Sequence, residues 1–369
     1  MKIKAVFFTC CLLFLFHNLW AQNPWKGYEH LFAPVQNYVV YQTSTPVRID
    51  GKADEPDWQQ AEWTADFADI EGDKNPKPLF RTRMKMLWNE DNLYLLAELE
   101  DPNIWAYYDT HDQIVYHEND IEVFIDPDGD THDYYEYEVN ARNTLFDLFM
   151  PKPYRNGGNA LVTWDSEGFK SAVSIDGTLN DPSDTDQKWT VEMKIPFADL
   201  RKGELVQVPY DGQIWKINFS RVQWQTKAID GKYQKIADPS TGRAYPEYNW
   251  VWSPPGLINM HYPERWGMIQ FSKTKVGSEP VDFNMPENDS ITKYLWLVYY
   301  KQQDFRNKND RYANNLEELE ISQDIESADR DVIQISLQAT QLQFTVQITT
   351  ADYTVLSLNE TGLFSTSQK

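Results

Sequence analysis

Asp120-Ile-Glu-Val-Phe-Ile-Asp126 decides the fold. Ile121, Val123 and Ile125 alternate with Asp120, Glu122, Phe124 and Asp126, the two-residue period of a strand. Pro127 and Gly129 break the run in Asp126-Pro-Asp-Gly-Asp130. A second alternating run follows, Tyr134-Tyr-Glu-Tyr-Glu-Val-Asn140, with Tyr135, Tyr137 and Val139 on one face and Tyr134, Glu136, Glu138 and Asn140 on the other. Paired as a hairpin, the runs join their apolar faces. Their other faces then combine into a patch of carboxylates, one amide and aromatic rings. Thr144-Leu-Phe-Asp-Leu-Phe149 extends the sheet.

Working outward, Arg81–Trp88 and Leu93–Leu99 alternate around the turn Asn89-Glu-Asp-Asn92 and predict a second hairpin, with Arg81, Arg83 and Lys85 on a wet face. Phe169–Ile175, Trp189–Ile195, Ile214–Val222, Asn249–Trp252 and Trp266–Phe271 read as further strands, and Val47–Gly51 as a short first one. Pro196–Leu200 reads as a single helical turn, and Ala53–Trp58 has helix-start character. About ten short strands with almost no helical period predict an all-β, antiparallel β-sandwich over residues 47–272. Residues 22–46 read as a loop-like lead and residues 273–290, with Gly277, Pro280 and Pro286, as a linker. Residues 291–369 predict a small α+β appendage: a helix over Ile291–Gln303, a short helical stretch near Tyr312–Leu319 and strands over Ile333–Ser357.

Residues 1–21 have the layout of a signal peptide, with Lys2 and Lys4, an apolar run from Val6 to Phe16, and Leu19-Trp-Ala21 as the cleavage end. The apolar run is short for a membrane span. Export to the periplasm, cell surface or exterior is the expectation. Cys10 and Cys11, the only cysteines, fall in this segment, so the exported chain would use neither disulfides nor thiol chemistry. The net charge of −22 repels polyanions and argues against a nucleic-acid partner.

Three groups of residues carry candidate chemistry. Asp120 and Glu122, two apart on one strand, project about 6.7 Å apart on one face. That spacing is compatible with an inverting glycosidase pair, with ligand contact, or with a solvated acidic face; Glu136 and Glu138 repeat it. The loop Asp126-Pro-Asp-Gly-Asp-Thr-His-Asp133 offers Asp126, Asp128, Asp130 and Asp133 as hard oxygen ligands suited to Ca²⁺, although Thr131 stands where an EF-hand loop requires glycine. His111, His117 and His132 have no transition-metal spacing. Tyr116, Trp250 and Trp252 fall at strand ends or loops. Aromatic rings beside acids and amides suit a sugar, whose C–H faces pack on rings and whose hydroxyls bond to polar groups. No nucleophile elbow, P-loop, zinc-protease helix or catalytic cysteine is present in the sequence.

Arg48-Ile-Asp-Gly-Lys-Ala-Asp-Glu-Pro-Asp-Trp58, Met86-Leu-Trp-Asn-Glu-Asp-Asn-Leu-Tyr94 and Asn119-Asp-Ile-Glu-Val-Phe-Ile-Asp126, in that order and approximate spacing, resemble the family 9 carbohydrate-binding modules over about residues 45–272. The resemblance implies a β-sandwich, often carrying structural calcium, that grips the end of a sugar chain between two rings and accompanies xylan- and cellulose-degrading enzymes. It places the first ring at Tyr116, where the pattern has Trp, and the second at Trp252. It places polar contacts at Glu122 and Asn140, with Glu138 where the pattern has Arg. The resulting expectation is a non-catalytic, exported carbohydrate-binding protein engaging polysaccharide or oligosaccharide chains in support of glycan degradation. A glycoside hydrolase using the acidic face is one alternative. A cell-surface assembly protein that meets a protein partner through Tyr294-Leu-Trp-Leu-Val-Tyr-Tyr300 is another.

Overall fold

The computed structural model describes residues 23–202, 205–206, 208–326 and 332–368. The expected signal peptide, with Cys10 and Cys11, lies outside them. Alternation builds the two hairpins at the expected places. Strand β1 is Asn37–Gln42; β2, Thr82–Trp88; β3, Asn92–Glu100; β4, Asp120–Asp126; β5, Tyr134–Asn140; and β6, Leu145–Met150. Next come β7, Lys170–Asp176; β8, Lys188–Pro196; β9, Ile214–Gln223; β10, Tyr248–Val251; and β11, Gly267–Lys275. They form one continuous sheet in the order β6-β5-β4-β9-β11-β1-β2-β3-β8-β7, with β10 also paired to β9. The two halves curl over a shared core. Ile121, Val123, Ile125, Tyr135, Tyr137, Trp215, Ile217 and Phe219 come from one half, and Met84, Met86, Leu95, Val191 and Met193 from the other. The sandwich therefore stands.

Its pairing departs from the expected all-antiparallel arrangement at one strand. β1 runs parallel to β11 from Asn37↔Met268 to Tyr41↔Ser272. Beyond the irregularity at Tyr41/Gln42 it meets β2, also in parallel, through Tyr41↔Leu87 and Gln42↔Trp88. The supposed lead 22–46 thus supplies the strand that joins the two halves. Its apolar run between Pro34 and Pro46 is short and lacks alternation, so the local pattern does not reveal it.

Val47–Gly51, expected as a strand, is instead a loop that clamps Glu192 of β8. The Asp50 and Gly51 amides donate to Glu192 Oε2 at 2.9 and 2.7 Å, and Trp58 Nε1 donates to Oε1 at 2.8 Å. Gly51 is needed for two reasons. Its φ is +81°, and a Cβ there would stand 2.7 Å from the Ser174 nitrogen. Lys85, expected on a wet face, is buried against the Trp63 ring, its Nζ 4.6 Å from the centroid.

Beyond the sandwich, the helix Asp289–Asn309 packs on a sheet that includes Val332–Ala339, Phe344–Thr349, Thr354–Asn359 and Phe364–Gln368. Leu295, Trp296, Val298 and Tyr299 are buried against Ile335, Val346, Ile348 and Leu358. The aromatic stretch 294–300 therefore packs largely on the tail's own sheet. The helix exceeds the expected span at both ends, whereas only Glu317–Leu319 of the second stretch turns helically. No helix among the described residues is long and apolar enough to cross a membrane.

Replacing Glu192 by Ala leaves three donors without their acceptor, two of them on well-buried groups. Each buried orphan costs about 1–3 kcal/mol. Urea unfolding of Glu192→Ala is expected to show a loss of about 3 kcal/mol or more; an unchanged midpoint would exclude the clamp as a stabilising device.

Candidate functional site

The hairpin register builds the site. Asp120 pairs with Asn140, Glu122 with Glu138 and Phe124 with Glu136, so the alternate residues share the outer face. β9 adds Ser220 directly opposite Glu122. This face is not solvated. Phe124, Tyr134, Phe146, Leu148, Val251, Met260 and Trp266 form an apolar cluster over part of it. As a result Asp120 and Glu138 are 0% and 1% exposed, and Glu136 and Glu122 are 5% and 6% exposed.

Four carboxylates thus lie together under cover. Ligand atoms of Asp120, Glu122 and Glu138 lie within 4.8 Å of one another. Burial pushes the Glu122 carboxyl up to about 7, with nearby Glu247 adding to the effect and Ser220 opposing it. Burial first, then Glu122, holds Asp120 and Glu136 well above the carboxylate range, and Glu138 is raised in the same way. The adjacent His261 receives or donates the 2.7 Å bond with the Tyr134 hydroxyl and lies 4.0 Å from Glu136. Burial and Arg155 lower its pKa to about 4.

Two exposed rings stand at the rim. Tyr116 is 40% exposed, and its backbone N–H donates to Glu138 Oε2 at 3.3 Å. Tyr154 is 46% exposed and sets its ring edge-on to His261, with centroids 4.5 Å apart. The carboxylates Glu136 and Glu138 raise the pKa of both phenols, after burial, and Tyr116 itself acts on Tyr154, which reaches about 12. Tyr116 thus stands beside Glu138, and Tyr154 beside His261, the neighbour of Glu136. Trp224 closes a further side. Its Nε1 donates to the Tyr116 carbonyl at 3.0 Å, and Lys235 Nζ lies 3.2 Å from its ring centroid.

The sequence-level candidates divide clearly. Tyr116, Glu122 and Glu138 come together. Asn140 lies at the edge but is consumed by the fold: its Oδ1 accepts from Arg142 and Thr144, and its Nδ2 donates to the Tyr108 carbonyl and to Glu118. Trp250 and Trp252 face the opposite way, into the sandwich core, at 2% and 1% exposure. Trp252 packs on Phe219 and against Gly267, and Trp250 on Tyr248. Neither offers a ring face to a ligand, because β10 turns its even-numbered residues inward. Tyr154 and Trp224 were missed. Tyr154 opens the short 3-10 turn Tyr154–Asn156 and Trp224 lies in a loop, and no periodicity carries either to this face.

The acidic loop after β4 is organised differently. Asp126 accepts the Gly129 and Thr131 amides at 2.9 Å each. Lys202 Nζ reaches Asp128, Asp130 and Asp133 at 3.0, 2.5 and 3.5 Å. The donor set of the expected calcium loop is present, but an ammonium already balances it, and an ion would have to displace Lys202. A separate cavity of about 650 Å³ lies away from the acidic floor, between β9 and the tail, lined by Phe32, Lys216, Arg265, Asp289, Trp296 and Tyr300.

A sequence model of a family described as carbohydrate family 9 binding domain-like matches residues 49–248. Endo-1,4-beta-xylanase A of Thermoanaerobacterium saccharolyticum is 28% identical over 170 residues, covering 46% of this chain and 12% of that protein. Endo-1,4-beta-xylanase C of Paenibacillus barcinonensis is 30% identical over 182 residues, covering 48% of this chain and 14% of that protein. The chain thus spans only a small part of either xylanase. A solved family 9 carbohydrate-binding module of Caldicellulosiruptor kristjanssonii, in complex with glucose, is 18% identical with a TM-score of 0.37, covering 66% of this chain and all of that one.

The raised Glu122 carboxyl makes a pH prediction. The folded state holds this proton up to about pH 7, the unfolded state only to about 4.5. Stability from this group is therefore fully present at low pH and is lost as pH rises through 7. His261, held neutral, acts in the opposite sense below its ordinary value of 6.5. The difference between wild type and Glu122→Gln reports this carboxyl together with its influence on Asp120, Glu136 and Glu138. In chelator-treated buffer, wild type is expected to lose about 2 kcal/mol more than the variant between about pH 5 and pH 8. Parallel pH profiles from thermal unfolding would contradict this.

Proposed function

Because the chain belongs to the carbohydrate family 9 binding domain-like family, we propose that it is an exported, non-catalytic carbohydrate-binding protein that engages polysaccharide or oligosaccharide chains in support of their degradation. One observation carries the choice of site: two exposed rings stand beside the nearly buried carboxylates, Tyr116 at Glu138 and Tyr154 at His261, which neighbours Glu136. A pyranose ring presents C–H faces to aromatic rings and hydroxyls to carboxylates, so it matches this arrangement in polarity. Tyr154 takes the role that the sequence assigned to Trp252. The matched relatives named as endo-1,4-beta-xylanases support a role beside plant-wall degradation, since the matched segment is a minor part of each. Export rests on the layout of residues 1–21.

Isothermal titration of the full chain with xylo- and cello-oligosaccharides, alongside a reducing-end assay, tests the reading. Saturable binding without new reducing ends is expected. Tyr116→Ala and Tyr154→Ala should each weaken it about tenfold or more, roughly 1.4 kcal/mol. Binding that survives both substitutions would move the site elsewhere. Release of reducing ends, abolished in Glu122→Gln, would make the acidic floor a hydrolase site.

A further inference from the structure

Independently of the sugar reading, we propose that the cavity of about 650 Å³ between β9 and the tail binds a small organic anion, a carboxylate head on an apolar body. The first argument is its size and lining. Protein interiors pack closely and leave few voids larger than a water molecule. Small-molecule sites are concave, roughly 300–1,000 Å³ in volume, and mostly apolar with a few placed polar groups. This cavity has that make-up. Phe32, Met268, Met285 and Trp296 supply apolar wall, and Lys216 of β9 and Arg265 supply positive charge. The strand register sets Lys216 opposite Met268, so the charge and the apolar wall share one face of the sheet.

The second argument is that these two cations lack a counter-charge. Among the described residues, no carboxylate lies within ion-pair distance of either. Lys216 Nζ has one long contact, 3.5 Å from the Trp266 carbonyl. Arg265 donates only to backbone, to the Ala33 carbonyl at 2.7 Å and the Pro255 carbonyl at 3.4 Å. The neighbouring acids are already engaged. Glu264 pairs with Arg155 at 2.8 Å and accepts the Tyr300 hydroxyl at 2.6 Å, Asp289 pairs with Lys293 at 2.8 Å, and Asp126 accepts the Gly129 and Thr131 amides. Burial lowers the Lys216 pKa to about 8, with Asp289 opposing the shift and Arg265 adding to it. It also lowers that of Arg265, which is 5% exposed. Buried charges are ordinarily paired, and an anion seated against these two would offset the cost of their burial.

The tail's helix adds to the polar end. Asp289–Asn309 begins at the cavity wall, and the Asn288 side chain does not cap its first amides. A helix N-terminus favours negative charge. Asp289 and the exposed Glu287 also line this end, so the surplus of positive charge is small. That suits one negative charge better than the two of a phosphate, and the planar guanidinium of Arg265 suits a carboxylate. The apolar wall selects the rest of the ligand. A sugar's hydroxyls would lose their water against Phe32 and Met268 without gaining partners, whereas an aliphatic or aromatic body gains by burial.

Octanoate and phenylpropionate, each beside its neutral alcohol, octanol and phenylpropanol, are titrated calorimetrically into the full chain without sugar. Saturable uptake of one molecule per chain is expected for at least one acid, with its alcohol about tenfold weaker or more. Uptake of octanoate alone would mark the ligand as aliphatic and of phenylpropionate alone as aromatic; either supports the proposal. Lys216→Met keeps the stem and removes the charge. It should weaken the acid about tenfold and leave the alcohol within about twofold of wild type. No saturable uptake of either acid, equal uptake of acid and alcohol, or acid binding unchanged in Lys216→Met overturns the proposal. The comparison of acid with alcohol needs only the wild-type chain, so it decides the matter even where the variant does not fold. Because sugar is absent, the outcome is independent of whether the chain binds carbohydrate.

Discussion

The hairpin of β4 and β5 is buried on both faces, and the rest of the molecule follows from that constraint. Its inner face is apolar and closes against the opposing half of the sheet, with Ile121, Val123 and Ile125 all at 0% exposure. Its outer face is acidic yet covered as well, by apolar neighbours from β6, β10 and the segment around Met260 and Trp266. A strand buried on one face only would leave Asp120, Glu122, Glu136 and Glu138 in water at their ordinary ionisation. Covering them raises their proton affinities together and leaves acceptors without donors. The chemistry of the site is thus a consequence of packing more than of composition.

Holding that hairpin in place requires the sheet to be continuous, and β1 provides the continuity. One strand spends its first residues beside β11 and its last beside β2. Changing partners along its length lets the sheet turn the corner between two halves without an open edge in the middle. On the far half, the loop that carries Asp50 and Gly51 and the short helix Pro56–Gln60 that carries Trp58 tie themselves to Glu192. The stretch of sequence that most clearly marks the family is therefore a structural clamp remote from the rings and carboxylates. The clamp thus belongs to the scaffold and not to the candidate site around Tyr116 and Glu138.

The tail is joined to this scaffold through the acidic loop. Thr131 Oγ1 donates to the Gly362 carbonyl at 2.6 Å, and the Phe364 amide donates to the Asp130 carbonyl at 3.1 Å. The loop that reads as a metal site in isolation serves here as a docking point, braced by Lys202. Four acids in eight residues do not define an ion site without knowing which distant cation the fold delivers. Lys202 lies about seventy residues away in sequence and gives no local sign of that role.

Alternation determined by itself that Asp120–Asp126 and Tyr134–Asn140 are strands and which side chains of each share a face. A two-residue period is a property of backbone geometry and needs no tertiary contact to be read. The register that sets Glu122 opposite Glu138 came from the tertiary structure, and the tail's helix was legible from its apolar, aromatic run rather than from alternation. Burial of the acidic face, the inward turn of Trp250 and Trp252, the absorption of Asn140 into its own turn and the arrival of Tyr154 at the rim were decided only by the tertiary structure. Each depends on what covers a face or which way a loop returns. Those outcomes are set by packing between segments far apart in the chain, where side-chain periodicity carries no information.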